Sequence, residues 1–152
     1  NEITGGDWTA LHWAAKQGSD KIFSGLINAN ASLNATTSEK WTPLHVAALY
    51  GHVRIVAACL PKGVASNFGQ IYADINAKDI LQRTALYLAA STGHCEVVKL
   101  LLLNHADPDI KSVLGATALH CAARLGHTDI VRALVEGNCS LDIVDVLGFT
   151  AL

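Results

Sequence analysis

The sequence predicts an all-α solenoid, in which short helix pairs stack on one another and hairpin-like loops join each pair to the next. One observation is a recurring string of Thr, Ala or Pro, Leu, and His or Tyr. It begins at Thr9, Thr42, Thr84 and Thr117, and its first three residues recur at Thr150. The interval is 33 residues, with one interval of 42. A pair of alanines and then a glycine follow each of the first four strings, and such a fixed period is typical of stacked repeats.

The recurring string predicts the first helix of each unit. Threonine is a favoured N-cap residue, and Pro43 falls at the first helical position, where its missing N–H is not needed. Leu11, Ala14 and Ala15 form one apolar stripe, and the small alanines allow neighbouring helices to approach closely. Gly18 and its equivalents can adopt the left-handed conformation that ends a helix.

A second helix is predicted after each glycine, because apolar residues recur at positions i, i+1, i+4 and i+5. The four sets are Ile22, Phe23, Leu26 and Ile27; Ile55, Val56, Cys59 and Leu60; Val97, Val98, Leu101 and Leu102; and Ile130, Val131, Leu134 and Val135. Asn30, Gly63 and Asn138 are suited to the left-handed turn that ends such a helix, and His105 is the exception. We expect Pro61 to end its helix early.

The interval of 42 residues exceeds the period of 33 by nine and predicts an insertion at residues 65–73. It falls between the second helix of the second unit and the next hairpin. Phe68, Ile71 and Tyr72 make it too apolar for a purely solvated loop. Two interpretations remain open: these side chains fold back onto the helices, or they form a second contact site for a partner.

The string, the alanine pair and the glycine, four times in register, resemble the ankyrin repeat. The resemblance covers residues 4–152 and implies a single domain with four full repeats and the start of a fifth. The repeats are expected at about 4–36, 37–78 with the insertion 65–73, 79–111, 112–144 and 145–152. The broken fifth repeat and a first residue other than Met lead us to expect a fragment of a longer chain.

Composition excludes several functional classes. Apolar residues make up 51% and charged residues 16% of the chain, and the formal net charge is −2. Neither a disordered chain nor a basic nucleic-acid-binding domain has these values. The longest apolar runs, such as residues 100–103, are too short to span a bilayer, so no membrane insertion is expected. No nucleophile, phosphate-loop or metalloprotease motif occurs, so we expect no catalytic residue, no cofactor and no enzymatic activity.

Seven histidines raise the alternative of a metal or acid–base site. Six occupy repeat positions: His12, His45 and His120 follow the Leu of the string, and His52, His94 and His127 follow the glycine. Residues one repeat apart are too distant to share a metal ion, so we expect structural histidines and no metal. The resemblance implies that the first set hydrogen-bonds neighbouring backbone and that the second set begins the second helix.

The four cysteines fall at four different repeat positions on separate turns: Cys59, Cys95, Cys121 and Cys139. We interpret them as reduced side chains that pack as small apolar residues. Reduced cysteines indicate a cytoplasmic location, with a nuclear one as the alternative.

In the ankyrin repeat family, hairpin tips and the exposed edge of the first helices line a concave face. The resemblance therefore implies a partner protein that binds there. The anchors expected for it are Trp8, Trp41, Tyr50 and Arg83, since Trp, Tyr and Arg most often anchor interfaces. The further expected contacts are Glu39, Leu49, Ile80, Leu81, Val113, Leu114, Arg124 and Leu125. The alternative is that these side chains only shield the stack.

Two other roles stay open at the level of the sequence. The array can serve as a regulatory or assembly segment of a larger enzyme, channel or receptor, or as a bacterial effector that acts in a host cell. The resemblance also implies that Asn34, which follows Leu33, is a substrate for an asparaginyl hydroxylase. The simpler interpretation is that Asn34 supports a turn.

Overall fold

The structure, a computed structural model, describes residues 7–61 and 72–151. Within these two stretches the chain forms eight α-helices and no β-strand, which confirms the predicted all-α class. The helices are α1 (Ala10–Gln17), α2 (Asp20–Asn28), α3 (Pro43–Leu49), α4 (Val53–Cys59), α5 (Ala85–Thr92), α6 (Cys95–Leu103), α7 (Ala118–Arg124) and α8 (Thr128–Glu136). None of them is long and apolar enough to cross a membrane.

The helices form two layers. The first helices of the pairs, α1, α3, α5 and α7, pack side by side, and the second helices, α2, α4, α6 and α8, form the other layer. Each helix contacts its pair partner and the equivalent helices of the neighbouring pairs. This nearest-neighbour arrangement is that of a solenoid.

The first helices begin where the sequence predicts. Their N-caps, all in extended conformation, are Thr9, Thr42, Thr84 and Thr117. The Thr42 hydroxyl accepts a hydrogen bond from the His45 N–H at 3.4 Å, and the Thr84 hydroxyl accepts one from the Tyr87 N–H at 3.2 Å. Each bond satisfies one of the N–H groups that lack a partner within the first turn of a helix.

Glycine is needed at the end of the first helices for two reasons. Gly18 and Gly51 have φ angles of 68° and 73°, in the left-handed region. The imidazoles of His52 and His94 also lie against these glycines, so that an added Cβ would come within 2.6 Å of each ring. Each imidazole donates through Nε2 to a carbonyl in the first helix of the repeat before its own. His52 donates to the Lys16 carbonyl at 3.1 Å, and His94 donates to the Leu49 carbonyl at 3.0 Å. His52, His94 and His127 thus begin the second helices, and His52 and His94 also join their helix pairs to the pair before.

The second helices end in left-handed turns, as predicted. Asn30, His105 and Asn138 have φ angles of 62°, 64° and 57°. The helix α4 instead ends at Cys59, and Leu60 is extended because it precedes Pro61. Gly63, the predicted end residue of that repeat, lies outside the described residues.

One continuous apolar core runs between the two layers. The first helices contribute the leucines of the string and most of the alanine pairs, which are buried: Leu11, Ala14, Ala15, Leu44, Ala47, Ala48, Leu86, Ala89, Ala90, Leu119 and Ala122. All four cysteines are free thiols, and Cys59, Cys121 and Cys139 are buried. Burial raises the pKa of the Cys59 thiol to about 12, so this side chain packs as a neutral group.

In the first, second and fourth repeats, the histidine of the string ties its hairpin to the next one. The Nδ1 atom of His12 accepts the Thr9 N–H at 3.2 Å, and its Nε2 atom donates to the Trp41 carbonyl at 2.9 Å. His45 and His120 make the same two kinds of bond in their repeats, at 3.1 to 3.2 Å. This confirms the role that the resemblance implies for them. Burial lowers the pKa of His12 and His45, which favours the neutral ring that this pattern requires.

Candidate protein-binding surface

The tips of successive hairpins are hydrogen-bonded to one another. Ile80 donates its N–H to the Glu39 carbonyl at 2.9 Å. In the same way, Val113 donates its N–H to the Leu81 carbonyl, and Val146 of the fifth hairpin donates its N–H to the Leu114 carbonyl, both at 3.0 Å. The tips therefore form one row in which the spacing of the side chains is fixed by the backbone.

The second to fifth hairpins each close with a tight turn that contains one left-handed residue. These residues are Lys40, Gln82, Gly115 and Gly148, with φ angles of 60°, 60°, 71° and 82°. In the third hairpin the buried Asp79 carboxylate accepts the N–H groups of Leu81 and Arg83 at 2.9 and 2.8 Å. Asp145 does the same in the fifth hairpin, and the Phe149 N–H is the main reason why the pKa of its carboxyl group is lowered.

The tips expose apolar side chains in register. The predicted contacts Ile80, Leu81, Val113 and Leu114 are exposed, and the fifth hairpin continues the row with exposed Val146 and Leu147. On the first helices and the second tip, the predicted contacts Glu39, Tyr50, Arg124 and Leu125 are exposed, whereas Leu49 and Trp8 are half-buried. A contiguous row of exposed apolar groups is typical of a protein-interaction surface.

Trp41 does not lie at the exposed edge, and this part of the sequence prediction is wrong. Its side chain is 4% exposed. The ring lies 6.0 Å from the His45 ring, and the Arg83 guanidinium carbon lies 5.6 Å from its centroid. Trp41 directly precedes the N-cap Thr42 and lies on the part of the hairpin that returns to the stack. His12 holds the Trp41 carbonyl there by a hydrogen bond. Trp41 is therefore a core residue of the second hairpin rather than an anchor open to a partner.

Two cations of this surface are engaged within the molecule. The Arg83 guanidinium pairs with the Asp79 carboxylate at 2.6 Å and also covers the Trp41 ring. The Lys16 Nζ atom lies 5.6 Å from the centroid of Trp8, at a distance typical of a cation–π contact. Arg83 is thus half-buried and positioned by its own hairpin, which leaves less of it for a partner than the sequence predicts.

Trp13 is an exposed aromatic residue that the sequence prediction missed. It is 44% exposed, and its ring lies 4.9 Å from that of Trp8. The other repeats have Val46, Leu88 and Cys121 at the same position. The available signal was the size of the indole, which is larger than the buried Val46, Leu88 and Cys121 side chains at the same position.

A cavity of about 630 Å³ opens on this surface between the fourth and fifth hairpins. The predicted contacts Leu114 and Arg124 line it, together with Tyr87, Cys121 and Phe149. Burial raises the pKa of Tyr87 to about 12, and the positive charge of Arg124 opposes that rise. The cavity is therefore mainly apolar, with one guanidinium near a neutral phenol.

The repeat histidines are spread along the stack rather than gathered at one point. In the part of the chain that the structure describes, no three His, Cys, Asp or Glu side chains are placed to hold a metal ion. The surface as described offers apolar contact, one cavity and a few charges.

Of the predicted insertion 65–73, the structure describes residues 72 and 73. Phe68 and Ile71 lie outside the described residues, and Tyr72 is half-buried. The Asn34 amide donates through Nδ2 to the Tyr72 carbonyl at 2.9 Å and accepts the Asp74 N–H at 2.8 Å. Both polar atoms of Asn34 thereby join the first repeat to the loop before the third, which supports the structural interpretation of this residue.

Sequence comparisons agree with this architecture. A family model described as ankyrin repeats in three copies matches residues 1–79 and 86–152, and one described as ankyrin repeats in many copies matches residues 67–102. The human Transient receptor potential cation channel subfamily A member 1 is 34% identical over 94 residues, which are 62% of this chain and 8% of the channel. The human Ankyrin repeat and SOCS box protein 3 is 32% identical over 94 residues, 62% of this chain and 17% of that protein.

A third relative is Alpha-latrotoxin-Lt1a of Latrodectus tredecimguttatus, which is 33% identical over 96 residues, 62% of this chain and 6% of the toxin. The chain thus spans less than a fifth of the length of these three relatives. Ankyrin repeats are in general protein-interaction modules without catalytic activity. The matched residues cover most of the sequence, and the stacked helix pairs carry the same period, so this chain belongs to the ankyrin repeat family.

Proposed function

We propose that this chain binds a partner protein through the face formed by its hairpin tips and first helices. The observation that supports the proposal is the row of exposed apolar tip residues from Ile80 to Leu147. The backbone bonds between tips hold these side chains in place before a partner arrives. Preorganised apolar groups favour binding, because little side-chain and loop freedom is lost when the complex forms.

The proposed contact surface differs from the one that the sequence predicts. Leu81, Val113 and Leu114 form its centre, since they are exposed and lie on consecutive tips. Tyr50 extends the surface along the first helices, and Trp8 extends it with its neighbour Trp13. The buried Trp41 is left out.

The test is a comparison of two apolar-to-polar variants of the protein as bait for partners from its native cell. The tip variant carries Leu81→Ser and Leu114→Ser, and the matched control carries Leu103→Ser, which is 77% exposed on the second-helix layer. We expect the tip variant to lose at least 10-fold in affinity for the captured partner and the control to keep it. Equal affinities of the two variants, with equal unfolding midpoints, would overturn the proposal.

A second candidate role is regulation or assembly inside a larger protein. It is favoured by the observation that the chain spans only 8% of the channel relative and 17% of the SOCS box relative. The same face would then bind another segment of the same polypeptide. Cross-linking of the full-length protein through Lys40, which lies at the second tip, distinguishes the two roles. Links within one polypeptide favour the second candidate, and links to other proteins favour the first.

We also infer a cytoplasmic location, since Cys59, Cys121 and Cys139 are buried free thiols. Cell fractionation of the full-length protein tests it, and recovery from the secreted fraction would contradict it. Hydroxylation of Asn34 is a further proposal that rests on the resemblance. Peptide mass spectrometry of protein from its native cell tests it, with an added oxygen on the peptide that contains Asn34 as the expected result.

A further inference from the structure

The third and fourth hairpins carry the same pattern of side chains at their tips. Each tip has two consecutive apolar residues, Ile80 with Leu81 and Val113 with Leu114, and all four side chains are exposed. Backbone hydrogen bonds join each of these tips to the hairpins on both sides, and the apolar side chains stay exposed all the same. Their exposure is therefore a property of the stacked hairpins themselves.

A lysine stands two residues before each of these apolar pairs. Lys78 precedes Ile80 and Lys111 precedes Val113, and both lysines are exposed. Two residues of chain span at most about 7 Å, so each lysine lies beside its own tip. The second and fifth hairpins have a threonine and a valine at this position, so the pattern belongs to the third and fourth hairpins.

Neither lysine is neutralised within the part of the chain that the structure describes, since no carboxylate oxygen there lies within 4 Å of either ammonium nitrogen. The carboxylates that follow or precede them along the chain are engaged elsewhere. Asp79 pairs with Arg83 at 2.6 Å, and Asp109 accepts hydrogen bonds from the N–H and the hydroxyl of Ser140. The two lysines lie on adjacent hairpins, so their positive charges repel each other and a negatively charged partner relieves that repulsion.

We propose that the third and fourth hairpins bind an extended partner segment that combines Leu, Ile, Val or Phe with Asp or Glu. Its apolar side chains contact the four tip residues, and its carboxylates pair with Lys78 and Lys111. The proposal rests on the proposed function, in which this face binds a partner protein. Complementary charge beside an apolar contact speeds association and excludes segments of the wrong charge. The exposed Glu39 at the second tip repels an acidic segment, which confines the segment to the third and fourth hairpins.

The test is a selection from a library of random 12-residue peptides displayed on phage, with the whole chain as the target. We expect the selected peptides to combine the named apolar residues with Asp or Glu. Synthetic, fluorescein-labelled copies are then titrated against the parent protein and two double charge reversals. The tip-lysine variant carries Lys78→Glu and Lys111→Glu. The matched control carries Lys21→Glu and Lys99→Glu, at exposed positions of α2 and α6 in the second-helix layer, and changes the net charge by the same amount.

We expect the tip-lysine variant to weaken binding of the acidic peptides at least 5-fold and the control to change it less than 2-fold. Raising the NaCl concentration from about 0.05 M to about 0.5 M should weaken binding to the parent more than binding to the tip-lysine variant, because salt screens exposed charge pairs. Peptides in which Asp or Glu is replaced by Lys should bind the tip-lysine variant more tightly than the parent.

The opposing outcomes are distinguishable. If the tip-lysine variant keeps its affinity while the Leu81→Ser, Leu114→Ser variant loses it, the lysine proposal fails and the proposed face stands. If both charge reversals weaken binding equally, the effect comes from net charge and the lysine proposal again fails. If neither the tip-lysine nor the Leu→Ser variant weakens binding, or if no peptide is enriched, the proposed function fails as well. Thermal unfolding of each variant shows that the comparison is made between folded proteins.

Discussion

Trp41 fills the second hairpin, with the His45 ring on one side and the Arg83 guanidinium over its face. Within the described residues its indole Nε1 has no hydrogen-bond partner, so its contribution to stability comes from apolar packing. We expect Trp41→Ala to lower the free energy of unfolding by about 3–5 kcal/mol, the usual effect of truncating a buried aromatic side chain. Urea denaturation followed by circular dichroism measures this change.

Trp13→Ala is the matched control, because it removes the same side chain from a position that is 44% exposed. We expect it to lower the free energy of unfolding by about 1 kcal/mol. The loss is smaller than at Trp41 because the Trp13 side chain buries less apolar area in the folded protein. The order reverses for partner affinity measured at equal folded fraction, where Trp13→Ala has the larger effect. Equal losses of stability would show that Trp41 is not the core residue described above.

Lys40 and Gln82 adopt φ angles of 60° at the turn position where the later hairpins have Gly115 and Gly148. A side chain in the left-handed region costs about 1–2 kcal/mol, and part of this is offset because glycine orders a more flexible chain on folding. We expect Lys40→Gly to raise the free energy of unfolding by about 0.5–1 kcal/mol. Lys40→Ala removes the same charge without relieving the strain, so it is expected to change stability little. A stabilisation of equal size in both variants would assign the effect to charge.

At the scale of the element, the turn between paired helices depends on glycine to different degrees along the stack. An added Cβ at Gly18 would lie 2.6 Å from the His52 ring, whereas one at Gly126 would meet nothing within 4 Å. Both glycines have left-handed φ angles, 68° and 74°. We expect Gly126→Ala to cost about 1–2 kcal/mol from the backbone alone, and Gly18→Ala to cost more because the imidazole must move.

A double-mutant cycle with His52→Ala separates the two terms for Gly18. Without the imidazole, Gly18→Ala is expected to cost about 1–2 kcal/mol, as at Gly126, because only the strain of the left-handed backbone remains. Chemical denaturation of the four proteins of the cycle gives the coupling energy. A coupling energy near zero would mean that His52 does not set the close approach at this turn.

The elements were predictable because every repeat uses the same local signals. Thr84 caps the start of α5, and Gly93 ends that helix in a left-handed conformation. Both roles follow from the local chemistry of helix caps and do not depend on tertiary contacts. The direction of the side chain at Trp41 had no such signal, since it depends on how the hairpin returns to the stack. The cavity was also unpredictable, because Tyr87, Arg124 and Phe149 come from three different repeats and meet only when these repeats stack.

At the scale of the whole molecule, the repeats are joined by three kinds of contact. The helices pack through one apolar core, the hairpin tips share backbone hydrogen bonds, and the histidines bond to carbonyls of adjacent repeats. Each contact links only neighbours, so the stability of the stack is the sum of repeat and interface terms. A change at one interface therefore weakens the array as a whole.

The neutral state of His12 and His45 makes the interfaces that they join sensitive to acid. Burial lowers the pKa of His12 and His45, and it outweighs the nearby carboxylates of Asp7 and Asp79, which act in the opposite direction. In the unfolded chain a histidine has a pKa of about 6.5, so below that pH the unfolded state binds more protons than the folded one. The free energy of unfolding is therefore highest above about pH 6.5 and falls as the pH is lowered from there.

We expect this fall to show in urea denaturation between pH 7.5 and pH 5, with a slope of at most about 1.4 kcal/mol per pH unit for each histidine that stays neutral in the fold. His12→Gln with His45→Gln is expected to be less stable than the parent at pH 7.5, because the bonds to the next hairpin are lost, yet to depend less on pH. His105→Gln, at an exposed turn, is the matched substitution and should keep most of the parent slope. An unchanged slope in the double variant would place the acid sensitivity elsewhere and leave these histidines as pH-independent joints of the stack.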